Sequence, residues 1–403
     1  MKVREMIWVG IDVGKTHHHA CAVDETGKVV FSKRLVNSQA DIEALIGRAG
    51  KAAEQVRWAL DMTSGTAGLL LAVLLAGQAR VLYVPGRLVN RMAGAFAGEG
   101  KSDAKDAFTI AETARLRRDL TAITSPDQVV ADLRVLTARR EDLMGDWVRG
   151  INRLRALLAS IFPALEASFD YSTRSALVLL TGFQTPQSIR DAGADGVTAH
   201  LLAGGAWPKG IPAMVDKALA AAAAQTIALP TEATTAPLIA RLAEQLLDLD
   251  REIKDLDKQL TDRFAEHPHA SRITSVPGFG PILGAQLLAD TGGDLPAAFE
   301  TAGRLAAYAG LAPVPRDSGR IRGNLRRPKR YHRGLRRVFY MAALSAIRPD
   351  GPSRVFYQRK RAEGKLHTQA LIALARRLID VIWALLRDGR EFHDSPPLTA
   401  NAA

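Results

Sequence analysis

The run Ile7-Trp8-Val9-Gly10-Ile11-Asp12-Val13 constrains the chain most, because it sets a carboxylate inside an apolar segment. A short apolar run bounded by glycine predicts a strand. A charge within such a strand is costly unless it is paired or bound to a metal ion. Two further strands are predicted at 18–23 and 28–35, around the turn Glu25-Thr26-Gly27. A helix over 41–50, a strand over 56–62, a helix over 69–75 and a strand over 79–84 follow, the last stopped by Pro85-Gly86. Three linked strands and then alternating helices and strands predict an α/β domain with a mixed sheet over 1–120.

The middle of the chain changes period. Leu136, Leu143, Trp147, Ile151, Leu154 and Leu158 fall on a rough heptad seam. Leu242, Leu246, Leu249, Ile253, Leu256 and Leu260 follow a strict 4-3-4-3-4 spacing. With charged residues interspersed, this predicts coiled-coil arms over 121–265. Residues 166–235, with an alanine-rich helix at 218–224, form an inserted helical subdomain without nameable chemistry. A further unit spans 266–348, and 349–403 supply closing helices and a tail expected to be disordered from Ser395 onward.

Charge narrows the class of partner. Among 403 residues, 54 Lys and Arg stand against 42 Asp and Glu, a formal net charge of +12. That excess suits a polyanion, with nucleic acid the default partner. The single cysteine, Cys21, excludes an internal disulfide framework and any cysteine-rich zinc site. No apolar run is long enough to span a bilayer, and residues 1–20 lack a signal peptide's apolar core, so no membrane partner is expected.

Acidic residues form the first candidate site. Asp61 ends the strand at 56–62, and Asp103 and Asp106 lie three apart and share one helix face. Together with Asp12 they could converge at strand ends and hold Mg2+, which prefers hard oxygen ligands and serves phosphodiester chemistry. Each of the last three also has an ordinary reading, as a solvated helix residue or a helix N-cap. Gly10 to Thr16 ends like a phosphate-binding loop, but Val9 stands where its first glycine belongs. The same stretch resembles the first phosphate loop of actin-like ATPases, whose second glycine-rich segment is not found later in the chain. His17, His18 and His19 alternate faces on one strand and cannot all ligate one metal.

The second candidate site is basic. Residues 316–339 carry ten basic side chains and one acid, Asp317. Arg316, Arg320, Arg322, Arg326, Arg327, Lys329 and Arg330 suit a phosphate backbone. Ser318, followed by glycine among these arginines, could attack a phosphodiester whose developing charge they stabilise. The alternative is a solvated basic loop with a turn serine. Upstream, Val276-Pro277-Gly278-Phe279-Gly280-Pro281 resembles a helix-hairpin-helix turn, whose backbone N–H groups at Gly278 and Gly280 could bind a DNA phosphate. A plain helix–helix turn would read the same way.

In this order, Gly10-Ile11-Asp12-Val13-Gly14-Lys15, then Lys101-Ser102-Asp103-Ala104-Lys105-Asp106-Ala107, the heptad middle, Val276 to Pro281, and Gly310-Leu311-Ala312-Pro313-Val314-Pro315-Arg316-Asp317-Ser318-Gly319 resemble the insertion-sequence 110 family of transposases, DNA recombinases guided by a bridge RNA. The resemblance covers most of the chain. It implies a RuvC-like, ribonuclease-H-like N-terminal domain, a coiled-coil helical middle and a mainly helical C-terminal transposase domain. It also implies Asp12, Asp61, Asp103 and Asp106 as the acidic Mg2+ ligands, with Asp61 where the family usually has glutamate, one methylene longer. Ser318 matches the family's nucleophile.

The implied reaction is strand cleavage and exchange through a phosphoserine link, in a composite site between protomers. Target and donor DNA, a structured noncoding guide RNA and a homo-oligomer, dimer or tetramer, are the implied partners. The implied location is the bacterial cytoplasm, at the nucleoid when active. The alternative functions are an Mg2+-dependent structure-specific nuclease, in which Ser318 only contacts phosphate, and a non-catalytic nucleic-acid binder.

Overall fold

The computed structural model describes residues 4–62, 65–94, 102–123, 127–315, 318 and 323–393. The chain divides into two compact units, residues 1–126 and 127–403.

The first unit is built on a six-stranded sheet. Its strands are β1 (Arg4–Val13), β2 (His17–Asp24), β3 (Val29–Val36), β4 (Ala53–Leu60), β5 (Arg80–Tyr83) and β6 (Thr121–Ile123), in the order β3-β2-β1-β4-β5-β6. β1, β2 and β3 form an antiparallel meander, while β4 pairs parallel to β1 and β5 parallel to β4. This is the mixed sheet that the N-terminal pattern predicts, in the ribonuclease-H-like order that the family resemblance implies. The apolar runs become its central strands, with Ile7, Val9, Ile11, Ala59 and Leu60 fully buried. β6 is not foreseen from sequence: it is three residues long and lies antiparallel along the β5 edge.

Helices cover both faces of this sheet. α1 (Gln39–Ala52) is capped by the Ser38 side chain, which accepts from the Asp41 amide. With α2 (Gly68–Ala76) it buries Ile42, Leu45, Leu70 and Leu74 against Val9, Ile11 and Leu60. α3 (Gly86–Ala93) and α4 (Asp103–Leu116) cover the opposite face, where Ala107, Ile110 and Ala111 meet Trp8, Cys21, Ala59 and Leu82.

In the second unit, α5 (Gln128–Ile161) and α10 (Glu232–Ala265) are long helices running antiparallel. Arg139 pairs with Glu252 at 2.6 Å, Arg263 with Asp132 at 2.7 Å, and Arg140 with Asp257. The α10 seam is therefore occupied within the chain: Leu246, Leu256 and Leu260 are buried, and Leu249 and Ile253 pack on the same cores. Opposed heptad stripes on two long helices of one chain satisfy each other by closing an antiparallel hairpin.

Between them lie α6 (Pro163–Ser168), α7 (Arg174–Gly182), α8 (Pro186–Ala203) and α9 (Ile211–Ala224). They share a core with the facing ends of α5 and α10, through Leu154, Leu158, Leu177, Leu201 and Ala218. The rest of the unit comprises α11 (Ala270–Ser275), α12 (Pro281–Thr291), α13 (Leu295–Ala298), α14 (Ala302–Tyr308), the strand pair β7 (Val314–Pro315) and β8 (Leu325–Arg326), α15 (Arg333–Ala346), α16 (Pro352–Ala362) and α17 (His367–Asp388). A second core joins these helices to the other halves of α5 and α10, through Leu143, Leu260, Phe264, Phe339 and Leu374. Among the described residues no helix is long and apolar enough to cross a membrane. The tail expected to be disordered from Ser395 lies outside the described residues.

Candidate active site

In the first unit the acidic residues gather at one end of the sheet. Ile11 of β1 stands opposite Leu60 of β4 in a parallel pair, so Asp12 and Asp61 follow in step on neighbouring strands. Side chains alternate along a strand, and Trp8, Gly10 and Asp12 therefore share the face that α4 covers. Gly10 is what permits this cover. A Cβ there would sit 2.2 Å from the Ala111 amide nitrogen and 2.3 Å from the Ala107 carbonyl oxygen. Helix and strand meet backbone to backbone, which aims the N-terminal turn of α4, with Asp103 and Asp106, at the strand ends.

Electrostatics report the resulting neighbours. Asp61 is half-buried, and burial pushes its carboxyl above the usual carboxylate range, with the nearby Asp106 charge adding to the rise. His19 stands directly opposite Asp12 in the β1–β2 register. Burial lowers its pKa, while the negative charge of Asp103 opposes that shift. Its Nε2 lies 2.8 Å from the Ser32 hydroxyl. Asp106 is thus a neighbour of Asp61, and Asp103 a neighbour of His19, the residue opposite Asp12. Among the described residues, however, no three ligating side chains are close enough to one another to hold a metal ion. The donor set is all carboxylate oxygen, which fits a hard divalent cation.

The neighbouring groups are less suited to chemistry. His18 points to the opposite face, is buried, and has its pKa lowered by that burial. The alternation of faces along the strand expected for His17, His18 and His19 is thus observed. Cys21 is buried, and desolvation pushes its thiol up to about 11, so it is not an available nucleophile.

In the second unit Ser318 is exposed, in the connection between β7 and β8. Val314 pairs with Arg326 and Pro315 with Leu325, closing the base of that connection. Gly310, at φ 70°, lies against Tyr331, and a Cβ there would come within 2.4 Å of the ring. Arg336 stacks over the same ring at 4.9 Å and donates to the Gly310 carbonyl at 3.2 Å. Arg327 donates to the Tyr331 hydroxyl at 3.2 Å, and that hydrogen bond pulls the phenol below its ordinary range. Tyr308 stacks on His332, whose Nδ1 caps α15 by accepting from the Leu335 amide. Arg326, Arg327, Lys329 and Arg330 are exposed, whereas Arg316, Arg320 and Arg322 lie outside the described residues.

The glycine turn is a helical hairpin between α11 and α12. Gly278 has φ 90°, and a Cβ on it would meet the Ala342 carbonyl oxygen at 2.1 Å. Close packing on α15 thus explains this glycine by itself. Gly280 is the N-cap of α12 and its Cα faces open space.

Comparison with known proteins places the chain. A family profile described as Transposase matches residues 9–163, and one described as Transposase IS116/IS110/IS902 family matches residues 270–358. The insertion element IS116 uncharacterized 44.8 kDa protein of Streptomyces clavuligerus is 50% identical over 99% of both chains. The insertion element IS900 uncharacterized 42 kDa protein of Mycobacterium paratuberculosis is 48% identical over 98% of this chain and 99% of its own. The chain belongs to the IS116/IS110/IS902 family of transposases. Among solved structures, T. thermophilus RuvC in complex with Holliday junction substrate matches with a TM-score of 0.24 at 16% identity, over 30% of this chain and 100% of that one.

As a transposase the protein is a DNA-processing enzyme. Its two matched segments carry the two candidate sites, the acids in the first and Ser318 in the second. Sequence reasoning set His19 aside with its neighbours. The signal that could have singled it out is parity: across the three-residue turn Gly14-Lys15-Thr16, His19 is the histidine that falls opposite Asp12.

Proposed function

We propose that this transposase cuts and rejoins DNA with Ser318 as nucleophile and the acidic cluster as the phosphate-activating half of the site. What supports the reading is that Asp12 and Asp61 follow in step on neighbouring parallel strands, and that Asp61 is raised by burial and by the nearby Asp106 charge. Carboxylates crowded in this way favour a divalent cation. Mg2+ bound there would neutralise charge on a scissile phosphate and its leaving oxygen.

The remaining steps belong to the chain's own residues. Ser318 Oγ attacks phosphorus, losing its proton as the O–P bond forms, and the P–O bond to the departing strand breaks to leave a deoxyribose hydroxyl. The phosphoserine keeps the energy of the broken phosphodiester, so a new strand's hydroxyl reverses the step without a high-energy cofactor. Exposed Arg326, Arg327, Lys329 and Arg330 support this by offering cations to the DNA backbone beside the serine. Gly280, open at the α12 N-terminus, offers a further phosphate contact. The family resemblance supports a noncoding guide RNA as the source of target and donor choice. It also supports a homo-oligomer in which the acids of one protomer serve the serine of another.

Recombination between two DNA substrates tests the reading. Ser318→Ala and Asp12→Asn should each abolish joined product, Ser318→Ala without loss of DNA binding. If Ser318→Ala continues to cut with Mg2+ but never joins, the protein is instead a metal-dependent nuclease.

A further inference from the structure

The helix that follows α15 carries a dense group of cations. α16 and the turn that follows hold five cations, Arg354, Arg359, Lys360, Arg361 and Lys365, against one acid, Glu363. Among the described residues Arg361 and Lys365 have no ion-pair partner, and Arg359 reaches Glu363 only at 3.9 Å. Three cations are gathered on one ring: Arg359, Lys360 and Arg377 lie 5.1, 5.6 and 5.5 Å from the Phe356 centroid. These contacts order the long side chains in advance, which lowers the entropic cost of meeting a ligand.

The exposed face of the helix has a second property. Val355, Gln358 and Ala362 recur at helical spacing along it, and Leu366, also exposed, opens the next helix beyond the turn. Val355 is 66% exposed and Leu366 68%. A central row of small, apolar and amide side chains flanked by cations is what a helix presents to the DNA major groove. Amides there can pair with adenine, apolar groups meet the thymine methyl, and the flanking cations take phosphates. The major groove of an RNA duplex is too deep and narrow for such a face.

We propose that the exposed face of α16 docks in the major groove of duplex DNA, with Arg359 and Arg361 on phosphates and Val355 and Gln358 toward the bases. The proposal uses none of the residues of the acidic or serine sites. The proposal rests on the chain being a DNA-processing enzyme and not on how it breaks the strand. Binding can therefore be read without any cleavage.

The experiment is a salt titration of full-length protein binding to a fluorescent DNA duplex and, separately, to a fluorescent hairpin RNA. Each lost phosphate contact should remove about one unit of salt slope. Arg359→Gln with Arg361→Gln should thus flatten the duplex slope by about two units and leave RNA affinity unchanged. Val355→Glu, which adds an acid to the row, should weaken duplex binding several-fold at an unchanged melting temperature. An unaltered duplex slope in the double variant overturns the proposal, as does a loss of RNA binding equal to or greater than that for DNA.

Discussion

Asp290 shows how one buried carboxyl sets a local pH response. Its side chain is 14% exposed, its Oδ1 accepts from Gln286 at 3.0 Å, and its Oδ2 has no hydrogen-bond partner. Burial pushes its pKa up, and His332, 3.7 Å away, only partly opposes the shift. A folded value above the unfolded one means the fold prefers the protonated acid. That contribution is complete below the unfolded value, about pH 4, and is lost as pH rises through the folded one. Asp290→Asn copies the protonated form and keeps the Gln286 bond. It should raise the melting temperature by about 2 °C at pH 8, with the gain shrinking toward pH 4. A variant equally stabilised at both pH values would show that burial is not the cause.

At the level of elements, the meeting of α4 with β1 decides where the acids stand. Gly10→Ala forces a methyl group against helix backbone, which cannot rotate away. It should cost about 3 kcal/mol, read as a lower denaturant midpoint for the first unit, and an unchanged midpoint would mean that α4 does not ride on β1 there. Much of this level was legible in the sequence. The central strands announce themselves as apolar runs, and Asp103 and Asp106 share a helix because three residues make nearly one turn. The contact that carries this helix to Asp12 was not legible. It joins Gly10 to Ala107 and Ala111, and small residues leave no periodic mark. β6 escaped because three residues on a sheet edge need no pattern. The α10 seam was visible as a heptad, but a heptad does not say whose helix fills it. Here α5 does, with Arg139–Glu252 and Arg263–Asp132 fixing the antiparallel direction.

Over the whole molecule, charge and architecture divide the work. The basic excess concentrates around Ser318 and along α16, while the four candidate acids belong to the ribonuclease-H-like unit. In the proposed function one unit holds a cation against a phosphate, and the other grips the backbone and presents a hydroxyl. The serine chemistry is the claim that joins them, and it leaves a covalent trace. The decisive measurement is to react the protein with Mg2+ and cleavable DNA, quench with denaturant, digest, and map the nucleotide-bearing peptide by mass spectrometry. A phosphoserine-linked nucleotide on the peptide containing Ser318, absent in Ser318→Ala and in Asp12→Asn, is the expected result. Cut DNA with no adduct, or an adduct on another residue, would contradict the account.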